Sequence, residues 1–128
     1  MKILNYIGGS FTASLSDQWI DNINPATNEI IGKVPRSGPS EVEAAISSAK
    51  KAHKAWSELS IKTRASYLIR LSTKIMENLN EFALIETRDT GKPIHTSKNI
   101  DIPRSAKNLR FFAEFALNQI DEKYISSG

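Results

Sequence analysis

The 128-residue sequence contains no cysteine. That absence removes disulfides, thiolate metal centres and a cysteine nucleophile at once. Histidine is nearly as scarce: His53 and His95 are the only two. They lie far apart, and neither has a second ligand type three or four residues away, so the spacing of a metal-hydrolase site is missing. His53 falls on an expected helix and His95 in an expected loop. No apolar run approaches the roughly 18 residues of a membrane-spanning helix. The opening MKILNYIGG carries one lysine and too short an apolar run to read as a signal peptide. Basic and acidic residues nearly balance, 17 against 14, with no block of one sign. A net charge of +3 spread along the chain argues against nucleic acid or an anionic membrane as partner. Lys50, Lys51 and Lys54 cluster, but such a run reads as a solvated helix face. Neither glycine-rich phosphate signature occurs, nor a Gly-x-Ser-x-Gly elbow. What these absences leave is a soluble, cytoplasmic domain.

What is present divides into two unlike parts. Residues 3–7 and 10–12 flank Gly8-Gly9 and read as a hairpin, because paired glycines supply the positive φ of a tight turn. Residues 19–23 and 29–34 read as a second hairpin. The corner between them, Asn24-Pro25-Ala26-Thr27-Asn28, combines a fixed φ at Pro25 with two asparagines that bond locally or tolerate the left-handed region. From Gly38 onward the hydrophobic period becomes helical. Ser40 and Glu43 have the spacing of a capping box, followed by a stripe of Val42, Ala45, Ile46, Ala49, Ala52 and Trp56. Ser60 is placed to cap a second helix carrying Ile61, Ala65, Leu68, Ile69, Ser72, Ile75, Met76 and Leu79. Asn80 is placed to cap a third, which Gly91 closes. A fourth spans about 100–120, with Leu109, Phe112, Ala113, Ala116, Leu117 and Ile120 inward and Pro103 near its first turn. Two β-hairpins followed by four helices are the expected architecture. Two short hairpins are marginal without further strands or a packing partner, which points to a piece of a larger unit.

Two stretches resist a purely structural reading. ETRDTGKP, residues 86–93, ends a helix with good local reasons: Gly91 as cap, Lys92 beside the negative helix end, Pro93 as a stop. Asp89 in that last turn has the wrong sign for the helix dipole. DIPRSAKNLRFFAEFA, residues 101–116, places Arg104 in the expected first turn of its helix. A cation is unfavourable there too, so an anion-binding arginine stands against a merely solvated one.

Taken in order, YIGGSF, INPATNEIIGKVP, EVEAAISSAKKAHKAWSE, the stretch bearing Arg64, Leu68, Arg70 and Leu71, ETRDTGKP and NLRFFAEFA resemble the N-terminal part of an aldehyde dehydrogenase. The resemblance covers nearly the whole chain. Within that family, DIPRSAKNLRFFA resembles the 2-aminomuconic and 2-hydroxymuconic semialdehyde dehydrogenases.

The resemblance implies an α/β family fold in which 1–36 form the hairpins and 39–122 the helices flanking a dinucleotide-binding domain. It implies an NAD(P)-dependent enzyme, a small-molecule aldehyde as substrate and a homo-oligomer at full length. The family's chemistry needs a thiolate to attack the aldehyde and hand hydride to the nicotinamide. The nucleophile, the general base and the residues that grip NAD all lie downstream of the matched region. This chain is therefore expected to be a C-terminally truncated piece, inactive alone, with no catalytic or NAD-binding residue of its own. The resemblance also implies a monovalent cation held by backbone carbonyls at Asn22 and Ile23 together with Asp89. It implies that Arg104, bordering the substrate tunnel, reads a substrate carboxylate. A stand-alone helical interaction module, kept without activity, is the alternative.

Overall fold

A computed structural model describes residues 2–118. Strands β1 (Asn5–Ile7) and β2 (Ser10–Thr12) form one antiparallel hairpin, and β3 (Trp19–Ile23) and β4 (Ile30–Pro35) form another. The two pairs are separate sheets. Gly8 and Gly9 take φ of 60° and 84°, as the β1–β2 turn demands. Strand β1 starts later than expected. Ile3 instead donates its backbone N–H to the Lys33 carbonyl at 2.8 Å, and Lys2 bridges to Lys33 in parallel, so the first residues serve the second hairpin.

Helix α1 (Pro39–Ser57) has Gly38, not Ser40, as its cap. Proline's fixed φ suits the first helical position, which puts Glu41 at the third. Its carboxylate accepts the Gly38 N–H at 2.9 Å and, on its other oxygen, the Leu15 N–H at 2.7 Å and the Ser14 hydroxyl at 2.9 Å. Glu43 is exposed and the expected Ser40–Glu43 pair does not form the cap. Those donors, Leu15 first, then Gly38 and Ser14, pull the Glu41 pKa from 4.5 down to about 2. Its stabilising contribution is thus complete above pH 4.5 and is lost as the pH falls toward about 2. Glu41→Gln should flatten the acid limb of the stability–pH curve, measured by urea titration at several pH values. An acid limb as steep in the variant as in the parent would show that Glu41 does not set it.

Helix α2 (Ile61–Glu77) starts as expected, with the Ser60 hydroxyl accepting the Thr63 N–H at 3.1 Å. Helix α3 (Leu79–Thr90) is capped by Asn78 rather than Asn80. Asn78 closes α2 by donating its N–H to Lys74 and opens α3 by accepting from the Phe82 N–H at 3.1 Å. With one residue serving both ends, Asn80 falls inside the helix.

The expected fourth helix is a rod in three contiguous pieces: α4 (Ile94–Thr96), a π-helical turn (Ser97–Asp101) and α5 (Ile102–Asn118). His95 is therefore helical, not in a loop. The rod also begins before Arg104, so the argument that a cation is misplaced at a helix N-terminus does not apply to it. The cause of the π turn is local. Pro103 cannot donate back to the preceding turn, and widening the ladder by one residue just before it accommodates that loss. The Ile102 N–H accordingly bonds to Ser97, five residues back.

The core is small in residue size. Ala65 and Ser72 of α2 face Ala106 and Ala113 of α5, while Ala83 of α3 and Ser97 of the π turn are fully buried. Small side chains let the α2 and α5 axes lie close. Many of the large apolar residues face outward. Val42, Ile46 and Trp56, expected inward on α1, are 55%, 44% and 43% exposed. Phe112, also expected inward, is 62% exposed, and Ile120 lies outside the described residues. The helical period was right, but it marks a face that the first hairpin and Tyr67 cover only in part. No described helix is long and apolar enough to cross a membrane.

Candidate functional site

The Asn-Pro corner is built by its asparagines. The Asn24 side-chain carbonyl accepts the Ala26 N–H at 2.9 Å, its backbone carbonyl accepts the Asn28 N–H at 2.8 Å, and Asn28 takes φ of 60°. The Asn24 N–H closes the turn on the Glu29 carbonyl at 2.9 Å. One residue earlier the ladder slips between Asn22 and Ile23. The extra residue is Ile31 of β4, left between Gly32, which pairs with Asn22, and Ile30, which pairs with Ile23; such a bulge bends the strand that carries it.

This corner sits on the C-terminus of α3. The Asn22 amide donates to Asp89 Oδ1 at 2.7 Å, a contact between residues distant in sequence that gives the aspartate a partner at the wrong end of a helix dipole. Gly91 ends the helix at φ 73°, its N–H bonded to the Thr87 carbonyl at 2.9 Å. Pro25 and Ala26 pack against it closely enough that an added Cβ would lie 2.8 Å from Pro25 Cγ and 3.0 Å from the Ala26 nitrogen. Of the three expected cation-site residues, the structure brings Asn22 and Asp89 together through side chains. Ile23 follows at the bulge.

Lys92 then fastens α3 to the π turn. Its ammonium lies 2.8 Å from Glu86 Oε1 and 2.8 Å from Asp101 Oδ2. The three side chains are about one-third exposed. Asp101 first, then Glu86, hold the lysine above its ordinary pKa. At the other end of the turn, the Thr87 and buried Ser97 hydroxyls meet at 2.9 Å. Sequence reasoning gave Lys92 only a helix-end role. Its partners lie six and nine residues away on different elements, a spacing that no single helix period reveals.

Arg104 is exposed. The ion pairs among the described residues use Lys33, Lys74, Lys92 and Arg110, and the guanidinium hydrogen bonds come from Arg64 and Arg110. Asn108, Phe111 and Phe115 follow Arg104 along one face of α5, at helical spacings of four, three and four residues. Phe111 and Phe115 are 60% and 54% exposed and stack at 6.3 Å, with Phe112 edge-on to Phe111 at 5.3 Å. The result is a cation at the head of an open aromatic stripe. An adjacent face of α5 closes a groove of about 320 Å³ against α2, lined by Ser72, Met76, Pro103 and Ala106 among others.

Comparison with known proteins places this architecture. The sequence model of the Aldehyde dehydrogenase family matches residues 11–128. The 2-aminomuconic semialdehyde dehydrogenase of Mus musculus is 42% identical over 122 residues, covering 95% of this chain and 25% of that protein. The 2-hydroxymuconic semialdehyde dehydrogenase of Pseudomonas sp. (strain CF600) is 36% identical, covering 96% and 26%. The crystal structure of PnpE in complex with nicotinamide adenine dinucleotide superimposes with a TM-score of 0.86 at 32% identity, over 90% of this chain and 24% of that one. The chain thus spans about a quarter of the length of the curated relatives it matches. Hairpins, helices, corner and family profile agree, and the chain belongs to the aldehyde dehydrogenase family.

Proposed function

We propose that this chain is the N-terminal part of an NAD-dependent enzyme that oxidises a carboxylate-bearing semialdehyde to the corresponding acid, and that α5 forms one wall of its substrate entrance. The observation that carries the proposal is Arg104, exposed at the head of the Asn108–Phe111–Phe115 stripe. A guanidinium fork matches a carboxylate bidentately. An aromatic wall beside it packs the carbon chain that links this carboxylate to the aldehyde. Similarity to relatives named for semialdehydes supports the same substrate class.

In this reading residues 1–36 form the hairpins and 39–122 the helices that flank the dinucleotide-binding domain of a cytoplasmic homo-oligomer. NAD accepts hydride when bound, but no residue of this chain is assigned to it, and the chain's own part is to bind and orient substrate. The test measures NADH formed by the complete enzyme from a carboxylate-bearing and a neutral aldehyde, with Arg104 intact and with Arg104→Ala. An acid preference unchanged by the substitution would sink the proposal. In the same assay the 128 residues alone should form no NADH, since they hold no cysteine. The open aromatic stripe would equally serve a helical interaction module, a reading that turnover by the complete enzyme excludes.

The same proposal gives Asn22, Ile23 and Asp89 a monovalent cation. The hard oxygens suit such an ion, the register of β3 on β4 shifts between Asn22 and Ile23, and Asp89 keeps Oδ2 after the Asn22 amide takes Oδ1. Potassium chloride should then raise the melting temperature above that in choline chloride of equal ionic strength, by mass action on the folded state. Asp89→Asn should abolish the difference. A potassium effect that survives in the variant would remove the site from this corner.

A further inference from the structure

The geometry points to Lys92 as a positioning residue that sets the direction of Arg104 by clamping the π turn. This inference rests on the proposed role of Arg104 and adds a residue to it. The π turn is the one irregular step in the rod from Ile94 to Asn118, and it is fastened to the end of α3 at both of its own ends. Thr87 holds Ser97, where the turn begins, through paired hydroxyls at 2.9 Å. Lys92 holds Asp101, where it ends, at 2.8 Å, with Glu86 of α3 on its other side. Only Ile102 and Pro103 separate the clamped Asp101 from Arg104.

The consequence is rotational. A π turn inserts one residue into the helical ladder, and one residue is about 100° of helix. Holding the turn therefore helps set the direction in which α5 presents Arg104, Asn108, Phe111 and Phe115, together with the packing of Ala106 and Ala113 on α2. The π form has poorer intrinsic geometry than the α form, so it persists where surrounding contacts fix it. Pro103 favours the irregularity locally, and Lys92 ties it to α3, the same helix whose end holds the Asn22–Asp89 corner. The clamp makes no contact with the aromatic stripe itself. Its effect on substrate runs through the placement of the guanidinium.

The test uses the complete enzyme with Lys92→Met, Lys92→Arg, Asp101→Asn, Arg104→Ala and the double variant Lys92→Met/Arg104→Ala. Steady-state constants are measured on a carboxylate-bearing semialdehyde and on a neutral aldehyde of equal length. Lys92→Met and Asp101→Asn should each raise KM for the acid-bearing substrate about tenfold, the scale on which small misplacements act, with kcat and the neutral-substrate KM unchanged. Lys92→Arg should keep most of the parental KM, because a guanidinium also spans two carboxylates. The double variant should be no worse than Arg104→Ala alone, since the clamp acts through that residue. Equal effects on both substrates, no effect on either, or losses that add to that of Arg104→Ala would overturn the inference while leaving the role of Arg104 standing. If Arg104→Ala itself leaves the acid preference intact, the functional reading fails and the inference with it. Should Lys92→Met not fold, Asp101→Asn removes one arm only and carries the same comparison.

Discussion

Gly91→Ala should destabilise the fold by about 2–5 kcal/mol, summing about 1–2 for a side chain in the left-handed region and about 1–3 for overpacking. The first part follows from φ of 73°. The second follows from the Cβ position, 2.8 Å from Pro25 Cγ and 3.0 Å from the Ala26 nitrogen. Neither neighbour is the far end of a flexible side chain. Pro25 is a ring with fixed φ, and the Ala26 N–H is engaged by Asn24 within the corner. Relief therefore requires moving the corner as a body away from α3, which would stretch the Asn22–Asp89 bond as well. Gly9→Ala is the control, because φ there is 84° but nothing lies within 4 Å of the added carbon. It should show only the backbone part, less the entropy that alanine removes from the unfolded chain. Urea titration of both variants measures the difference. Equal midpoints would show that the corner does not pack tightly on Gly91.

That corner shows what kind of information the sequence carried. The asparagines, proline and glycine were legible because each meets a backbone requirement of its own, independent of what lies opposite. Pro25 and Asn28 shape the turn and Gly91 ends the helix whether or not the two meet. Their contact was not legible in the local pattern, because it depends on the path of the chain through three intervening helices; only the resemblance set Asn22 and Ile23 beside Asp89. The capping of α1 failed for a narrower reason. Ser40-x-x-Glu43 and Gly38-x-x-Glu41 are two frames of one local pattern, and Pro39 decides between them by suiting the first helical position. The α1 stripe and Phe112 illustrate the converse. Periodicity reports that a face is apolar, and only packing decides whether that face is inside. The π turn lay beyond any period because it is a single inserted residue, betrayed only by a proline inside a helical run. Lys92 had no sequence signal beyond its place at a helix end, since salt-bridge partners on separate elements follow no repeat.

Arg104→Ala in the complete enzyme should lower kcat/KM for a carboxylate-bearing semialdehyde by about ten- to a hundredfold, the rate equivalent of about 1.5–3 kcal/mol for a charge-assisted hydrogen bond. The loss should fall mainly on KM, because a carboxylate remote from the reacting carbon is bound alike in the ground and transition states. The neutral aldehyde should be unaffected or slightly favoured, since an unpaired guanidinium facing an uncharged substrate contributes nothing to its binding. Arg104→Lys should recover part of the affinity, as a point charge replaces a fork without its two-point geometry. Raising the salt concentration should narrow the gap between parent and variant, because an exposed cation is screened over about 8 Å at physiological ionic strength. These outcomes separate recognition from architecture. Arg104 is exposed, and among the described residues it joins none of the ion pairs that hold the fold, so its removal should leave the melting temperature where it was. A variant that lost activity on both aldehydes together with stability would place Arg104 in the scaffold, and the substrate's carboxylate would need another reader.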